Sequence, residues 1–327
     1  MGRGRTARRR DPDVVALVDA AGGLSDARSL VLTQARKLNA SYRRFESSGN
    51  TPLERLKFIA SLQGLTLAPM NVERSRHERR DAVVILNGSD KGNRGQILYN
   101  PDRPVGRQAF SIAHEIAHTF FPSTSGGARF REMTATDSQE MDELERLCDL
   151  GAAEVLMPKE EFQASVALDW SMKSVDRLTG EFGSSREATV FRLASAYPGI
   201  AAAGLLCFRR TKGDQAKLKS MLQYPQPHLF GSAVSSPSTS GIADPKYRRQ
   251  SFHTSDGFPA SHTVRWNKSF DESSIAYRVG PYGVLSSREP LPNNTGVEGT
   301  IEVMQAPYQR EDADREHPDI LFYWRAG

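Results

Sequence analysis

Apolar residues follow a helical period of about 3.6 residues in some segments of the chain and form short continuous runs in others. Helices are predicted in two stretches between Pro12 and Phe45, and from Pro52 to about Leu62, where Thr51 and Glu54 complete a capping box. The strand candidates are Leu65–Val72, Ala82–Leu86 and Gln96–Tyr99. The mixture predicts an α+β fold in which a small antiparallel or mixed sheet packs on helices.

Beyond Arg210 the residue composition of the chain changes. Residues 211–245 contain Pro225, Pro227 and a run rich in serine and glycine, which predicts a flexible linker. An apolar strand is predicted just before it, at Ile200–Phe208. Four β-like runs follow the linker: His262–Trp266, Ser274–Arg278, Thr300–Met304 and Ile320–Trp324.

This organisation predicts four parts. Residues 1–10 form a disordered basic tail, and residues 11–210 a helical segment and the main domain, whose core spans about 50–200. The linker occupies 211–245, and 246–327 form a small β-rich domain for regulation or partner binding. In that domain His253, His262 and His317 have no cysteine or acid at ligand spacing, so we interpret them as surface or packing residues.

The candidate catalytic motif of the chain is His114-Glu115-Ile116-Ala117-His118. Residues four apart in a helix lie one turn above each other, so His114 and His118 can bind one Zn²⁺ from the same face. Glu115 lies beside that face and can take a proton from the water that zinc activates. Apolar neighbours on both sides of the motif predict a mostly buried helix.

Catalytic zinc usually has three protein ligands, so a third must lie downstream. Asp137–Met157 has helical periodicity and ends at Pro158. Among its acids, Glu145 and Asp149 are four apart on a face that also carries apolar residues. We predict Glu145 as the third ligand and Asp149 as the group that holds the free ring nitrogen of a ligand histidine. Solvated helix surface is the alternative for either acid.

In these two segments the chain resembles the ImmA/IrrE family of zinc-dependent peptidases. An arginine and a phenylalanine precede H-E-x-x-H within residues 107–118, and within 144–158 a glutamate opens a helix of small residues that ends in Leu-Met-Pro. The resemblance implies a zincin-like core in which His114, His118 and Glu145 bind Zn²⁺ and Glu115 is the catalytic base. The chain departs from the commonest pattern at Asp149, where asparagine is usual, and at 150–151, where a bulkier aromatic often follows.

Asp149 instead gives the Glu-x-x-x-Asp spacing of thermolysin-like gluzincins. The resemblance implies that the substrate is a helix-turn-helix transcriptional repressor, whose cleavage switches on stress-response or mobile-element genes. In zinc peptidases of this shape an edge strand can take the substrate as an added strand. We predict this role for Gln96, Ile97, Leu98 and Tyr99.

The amino-acid composition indicates in which cellular compartment the protein works and which partners it can bind. Only two cysteines are present, and Cys148 and Cys207 both lie in apolar surroundings typical of buried thiols in a reducing compartment. No signal peptide or membrane span is visible, which predicts a soluble cytoplasmic protein. The formal charge of +4 owes much to the arginines of residues 1–10. Such a run can touch nucleic acid, but it is more often a solvated tail.

Residues 174–195 admit a competing interpretation as a helix-turn-helix, with Ser184 or Ser185 capping the second helix and Arg186 and Arg192 facing phosphate. Packing alone is the favoured alternative. Two other functions therefore stay open beside the peptidase: a DNA-binding regulator with a structural zinc site, and a sensor whose C-terminal domain does the essential work.

Overall fold

The computed structural model describes residues 11–45, 51–71, 81–86, 94–122, 127–130, 143–167, 169–223, 242–265, 268–281, 283–291, 297–307 and 316–327. These residues form two compact units. The first contains the described residues as far as Ala167 and the segment Asp176–Thr189. The second contains the described residues of 168–175 and those from Val190 onward. The predicted tail of residues 1–10 lies outside the described residues.

Helices make up most of the first unit. As far as Ala167 they are α1 (Pro12–Ala20), α2 (Ala27–Arg43), α3 (Pro52–Leu62), α4 (Val105–His118), α5 (Glu143–Leu156) and α6 (Lys159–Val166). The capping box at α3 is present, because the Thr51 side chain accepts from the Glu54 N–H and Glu54 accepts from the Thr51 N–H. The hydrogen bonds from the Thr51 N–H and hydroxyl keep the pKa of the Glu54 carboxyl below its usual range.

The sheet of the first unit is mixed. Its strands are β1 (Leu65–Pro69), β2 (Ala82–Leu86), β3 (Gly95–Tyr99) and β4 (Gly127–Phe130), in the spatial order β1-β3-β2-β4. β1 runs parallel to β3, whereas β2 is antiparallel to both β3 and β4. The predicted α+β class is confirmed at this level.

The helix α4 is the centre of the first unit. It packs against α5, β2 and β3, and Ile112, Ile116 and Ala117 are fully buried. α5 comes close to this helix at Gly151, where a Cβ atom would lie 3.0 Å from the Ala117 Cβ and 3.1 Å from Val31 Cγ1. The absence of a side chain at Gly151 therefore permits the close approach of α5 to both α4 and α2.

We expect Gly151→Leu to destabilise the first unit by at least about 1–3 kcal/mol, because the added side chain must displace Ala117, Val31 and Phe120. The measurement is the free energy of unfolding in urea. Gly180→Leu is the matched control, since Gly180 is also helical and a Cβ there meets nothing within 4 Å. Equal stability of the two variants would show that the helix contact tolerates a side chain.

The second unit is built on an antiparallel sheet. Its strands are β5 (Ala201–Arg209), β6 (Lys246–Arg249), β7 (His253–Thr254), β8 (Leu285–Pro290), β9 (Glu298–Gln305) and β10 (Ile320–Ala326), in the order β6-β5-β10-β9-β8 with β7 also paired to β5. Phe322 and Ile301 lie in its core. His253 stacks on Phe191, and His317 stacks on Phe208 with ring centroids 3.7 Å apart, so both histidines contact aromatic rings.

Some predicted elements of this half of the chain were wrong. His262–Trp266 and Ser274–Arg278 are not strands where they are described: 3-10 turns occupy Ala260–His262 and Ile275–Arg278. The Ser274 side chain accepts from the Ala276 N–H and so caps a turn. The predicted linker begins with a helix, Lys212–Gln223, which we number α9 after the pair α7 (Val175–Phe182) and α8 (Arg186–Ala196). Residues 224–241 lie outside the described residues.

Among the described helices, none combines the length and the apolar character that crossing a bilayer requires.

Candidate metal centre

Both histidines of the motif lie in the last turns of α4. His114 is 0% exposed, Glu115 1% and His118 4%. The two imidazole rings face the same side of the helix, with centroids 4.9 Å apart. The helical period thus brings the two rings together inside the unit, as four-residue spacing predicts.

Glu145 lies opposite the two rings in the first turn of α5. Its Oε2 atom is 3.1 Å from His114 Nε2, and its Oε1 atom is 3.6 Å from His118 Nε2. For tetrahedral zinc with bonds of about 2.0–2.1 Å, neighbouring ligand atoms lie about 3.3 Å apart. Two imidazole nitrogens and a carboxylate at this separation fit a zinc ion in both chemistry and spacing.

Asp149 contacts the far side of one ring. Its Oδ1 atom lies 2.8 Å from His114 Nδ1, and its side chain is 30% exposed. A carboxylate at Nδ1 favours the tautomer that carries the proton there and leaves the Nε2 lone pair toward Glu145. Asp149 therefore lies where it can orient His114.

The sequence indicates only a buried thiol at Cys148. Its Sγ atom lies 3.4 Å from His118 Nδ1, and the donor atoms of His114, His118 and Cys148 all lie within 4.8 Å of one another, so this trio could also hold a metal ion. The two ring nitrogens of an imidazole are distinct binding positions. A His-His-Cys ion would use His118 Nδ1, whereas an ion beside Glu145 would use Nε2. The three-residue spacing from Glu145 to Cys148 was the signal for a shared helix face.

Glu115 contacts the sheet. Its Oε2 atom accepts a hydrogen bond of 3.0 Å from the Val84 N–H in β2. The Asn100 N–H donates to the Asp81 carbonyl, and alternate residues of an antiparallel strand point to opposite neighbours. The backbone groups of Asp81 therefore point toward β3, those of Ala82 toward β4, and so on in alternation along the strand. Those of Val84 point toward β4, so the Glu115 carboxylate lies on the side of β2 that faces β4.

The assignment of the substrate strand to Gln96, Ile97, Leu98 and Tyr99 is wrong. These residues belong to β3, which pairs with β1 on one side and with β2 on the other. Because both of its edges are paired, β3 cannot take an added strand. Among the strands that the structure describes, the edges of this sheet are β1 and β4.

An ion-pair cluster ties α4 to the start of β2. The carboxylate of Asp81, 2% exposed, lies 2.7 Å from Arg107 Nη2 and 2.7 Å from Arg103 Nε. Arg107 is the arginine that precedes the motif, and its contact holds the first turn of the metal-site helix against the sheet. Glu115 and Val84 make the corresponding contact two turns further on.

The possible helix-turn-helix over 174–195 is a helix pair, α7 and α8, joined through Gly183 at φ 62°. However, Thr189 and Leu193 are 0% exposed and Arg192 is 5% exposed, while Arg186 forms an ion pair with Asp176. A recognition helix must present side chains to a groove. The burial of α8 favours packing as the role of this pair.

A mixed sheet, an H-E-x-x-H helix and a facing glutamate helix are the parts of a metallopeptidase-type domain. Residues 64–194 match the family model of the IrrE N-terminal-like domain, Peptidase_M78. This match contains both metal-site helices and confirms the resemblance to the ImmA/IrrE family over those residues. No curated protein matches the chain.

One similar solved structure is described as a "Mycobacterium tuberculosis transcriptional regulator". The sequence identity is 12% and the TM-score 0.48, with 96% of this chain and 81% of that chain covered.

Proposed function

We propose that the protein is a zinc-dependent endopeptidase that cleaves a protein substrate. The observation that carries the proposal is the convergence on the Glu145 carboxylate of His114 Nε2 and His118 Nε2, in a helix that also carries the buried Glu115. A structural zinc site would be closed by four protein ligands and would have no use for a carboxylate next to it. The family match over 64–194 supports the same class of function.

His114, His118 and Glu145 would hold the ion, and Asp149 would fix the orientation of His114. When bound, zinc polarises the scissile carbonyl and lowers the pKa of a water to about 7. The His-His-Glu set is preferred to His-His-Cys because both Nε2 atoms face Glu145, whereas Cys148 contacts Nδ1 of His118.

Glu115 is the general base in this proposal. Its carboxylate takes a proton from the attacking water and then delivers it to the leaving amine of the peptide. The hydrogen bond from the Val84 N–H holds Oε2 in place. This fixed contact leaves the carboxylate with a defined position relative to the histidine pair, as proton transfer requires.

The substrate would enter along the edge of the sheet. β4 replaces β3 as the substrate strand in the proposal, because it is an edge strand and because it borders the side of β2 that contacts Glu115. An extended peptide can add to such an edge by main-chain hydrogen bonds. We take the substrate to be a helix-turn-helix repressor in the cytoplasm, cleaved in a stress response or in control of mobile-element genes, with the second unit as a regulatory or partner-binding part.

Incubation of the zinc-loaded full chain with the helix-turn-helix proteins of the same organism tests this function. We expect one or a few of them to be cut at a defined site, which mass spectrometry of the fragments identifies. Chelation should stop the cleavage and added zinc should restore it. Intact proteins throughout, together with DNA binding in a gel shift at physiological salt, would favour a DNA-binding regulator with a structural zinc site.

A further inference from the structure

Two consecutive residues of α5 contact the two histidines from behind. Asp149 Oδ1 lies 2.8 Å from His114 Nδ1, and Cys148 Sγ lies 3.4 Å from His118 Nδ1. We propose that Cys148 is a positioning residue for His118: its sulfur accepts the Nδ1–H and so directs the Nε2 lone pair toward Glu145. The inference rests on the proposed function, because it concerns the same metal site.

The surroundings of Cys148 make this contact consequential. Cys148 is 0% exposed and His118 is 4% exposed, so bulk water has little access to His118 Nδ1. A buried ring nitrogen that loses its acceptor keeps the cost of desolvation without the hydrogen bond. Neutral imidazole also has two tautomers, and the partner of one nitrogen decides which of them binds the metal through the other. Removal of the thiol should therefore weaken metal binding indirectly, through the tautomer and orientation of the His118 ring.

The two supports differ in strength. A carboxylate is a charged and strong acceptor, whereas a thiol sulfur is a weak one. His118 is therefore held less firmly than His114. Removal of a partner behind a ligand histidine typically lowers metal affinity by about 10–100-fold. We expect the loss of Cys148 to lie near the lower end of that range and the loss of Asp149 near the upper end.

The first experiment measures zinc affinity in the full chain by competition with a chromophoric chelator. Cys148→Ala is expected to raise the dissociation constant about 10-fold, and Cys148→Ser to recover much of the loss, because a hydroxyl oxygen can also accept from Nδ1–H. Cys207→Ala is the matched control: Cys207 is also a fully buried cysteine, but it lies on β5 of the second unit. An unchanged constant in Cys148→Ala overturns the proposal.

A cobalt-substituted protein separates positioning from coordination. With two imidazoles and a carboxylate as ligands, Co²⁺ should show visible ligand-field bands but no sulfur-to-cobalt charge-transfer band, and Cys148→Ala should shift the former. A charge-transfer band that disappears in Cys148→Ser would mean that Cys148 is itself a ligand, which overturns the positioning role. If Cys148→Ala fails to fold, the wild-type and Cys148→Ser spectra decide.

These readouts concern the metal and not cleavage, so the two proposals can fail separately. A weakened zinc site in Cys148→Ala, together with no sulfur-to-cobalt charge-transfer band in the wild type, would support the positioning role even if no protein substrate is cut. Cleavage of a protein substrate together with unchanged zinc affinity in that variant would support the peptidase function and overturn the positioning role of Cys148.

Discussion

Glu115→Gln is expected to abolish cleavage of the protein substrate while zinc stays bound. The amide has the size of the carboxylate, and its oxygen can still accept from the Val84 N–H, but it cannot take a proton from water. A general acid–base group contributes about 10²–10⁴ to the rate, so kcat should fall by at least about 100-fold. Multiple-turnover cleavage at saturating substrate, with metal content determined on the same sample, measures both effects.

The control for this substitution is Glu160→Gln, which also removes one carboxylate but on the exposed surface of α6. Its kcat should equal that of the wild type. Two results would contradict the assignment of Glu115. A wild-type rate in Glu115→Gln would remove its role as base, and a loss of zinc from that variant would show that the side chain supports the site instead.

Local periodicity was sufficient to predict which residues of the site share a helix face. His114 and His118 are four apart, as are Glu145 and Asp149, and the structure places these four side chains in contact. The reason is physical: one turn of an α-helix has 3.6 residues, so this spacing fixes the face whatever the helix packs against. Local sequence thus fixes which side chains share a face, whereas the meeting of the two faces depends on the packing of α4 against α5.

Strand neighbours depend on contacts between distant parts of the chain. Residues 96–99 have the same short apolar run whether their strand is central or at an edge, so the sequence could not reveal that β3 lies between β1 and β2. The edge strand β4 follows α4 in the chain and reaches β2 through the pairing of Val84 with Arg129. That pairing has no local signature, which explains the wrong choice of substrate strand.

Polar residues inside packed helices were a second source of ambiguity. Arg186 and Arg192 suggested a recognition helix that faces phosphate, yet Arg192 is buried in α8, as is Thr189 in the same helix. Thr189 exchanges hydrogen bonds with Ser184 and Thr179, so its hydroxyl is satisfied without solvent. Cys148 is the reverse case: a position with the sequence character of a buried apolar residue, whose sulfur contacts His118. In both cases the partner, not the residue type, decides the role.

Glu145→Gln is expected to lower zinc affinity by more than about 100-fold, beyond the range for groups that only support a ligand. The variant keeps the volume of the side chain but replaces a charged oxygen ligand with a neutral amide. Zinc-dependent stabilisation against heat, measured with and without added metal, should shrink in parallel because binding to the folded state raises the melting temperature.

Glu143→Gln is the matched control, since Glu143 occupies the same first turn of α5 and is likewise partly exposed. It should leave zinc affinity unchanged.

If Glu145→Gln binds zinc as tightly as the wild type while Cys148→Ser does not, the ion belongs to the His114, His118 and Cys148 group. Such a site would use Nδ1 of His118, and the tautomer imposed on that ring would have to be opposite to the one that contact with Glu145 through Nε2 requires.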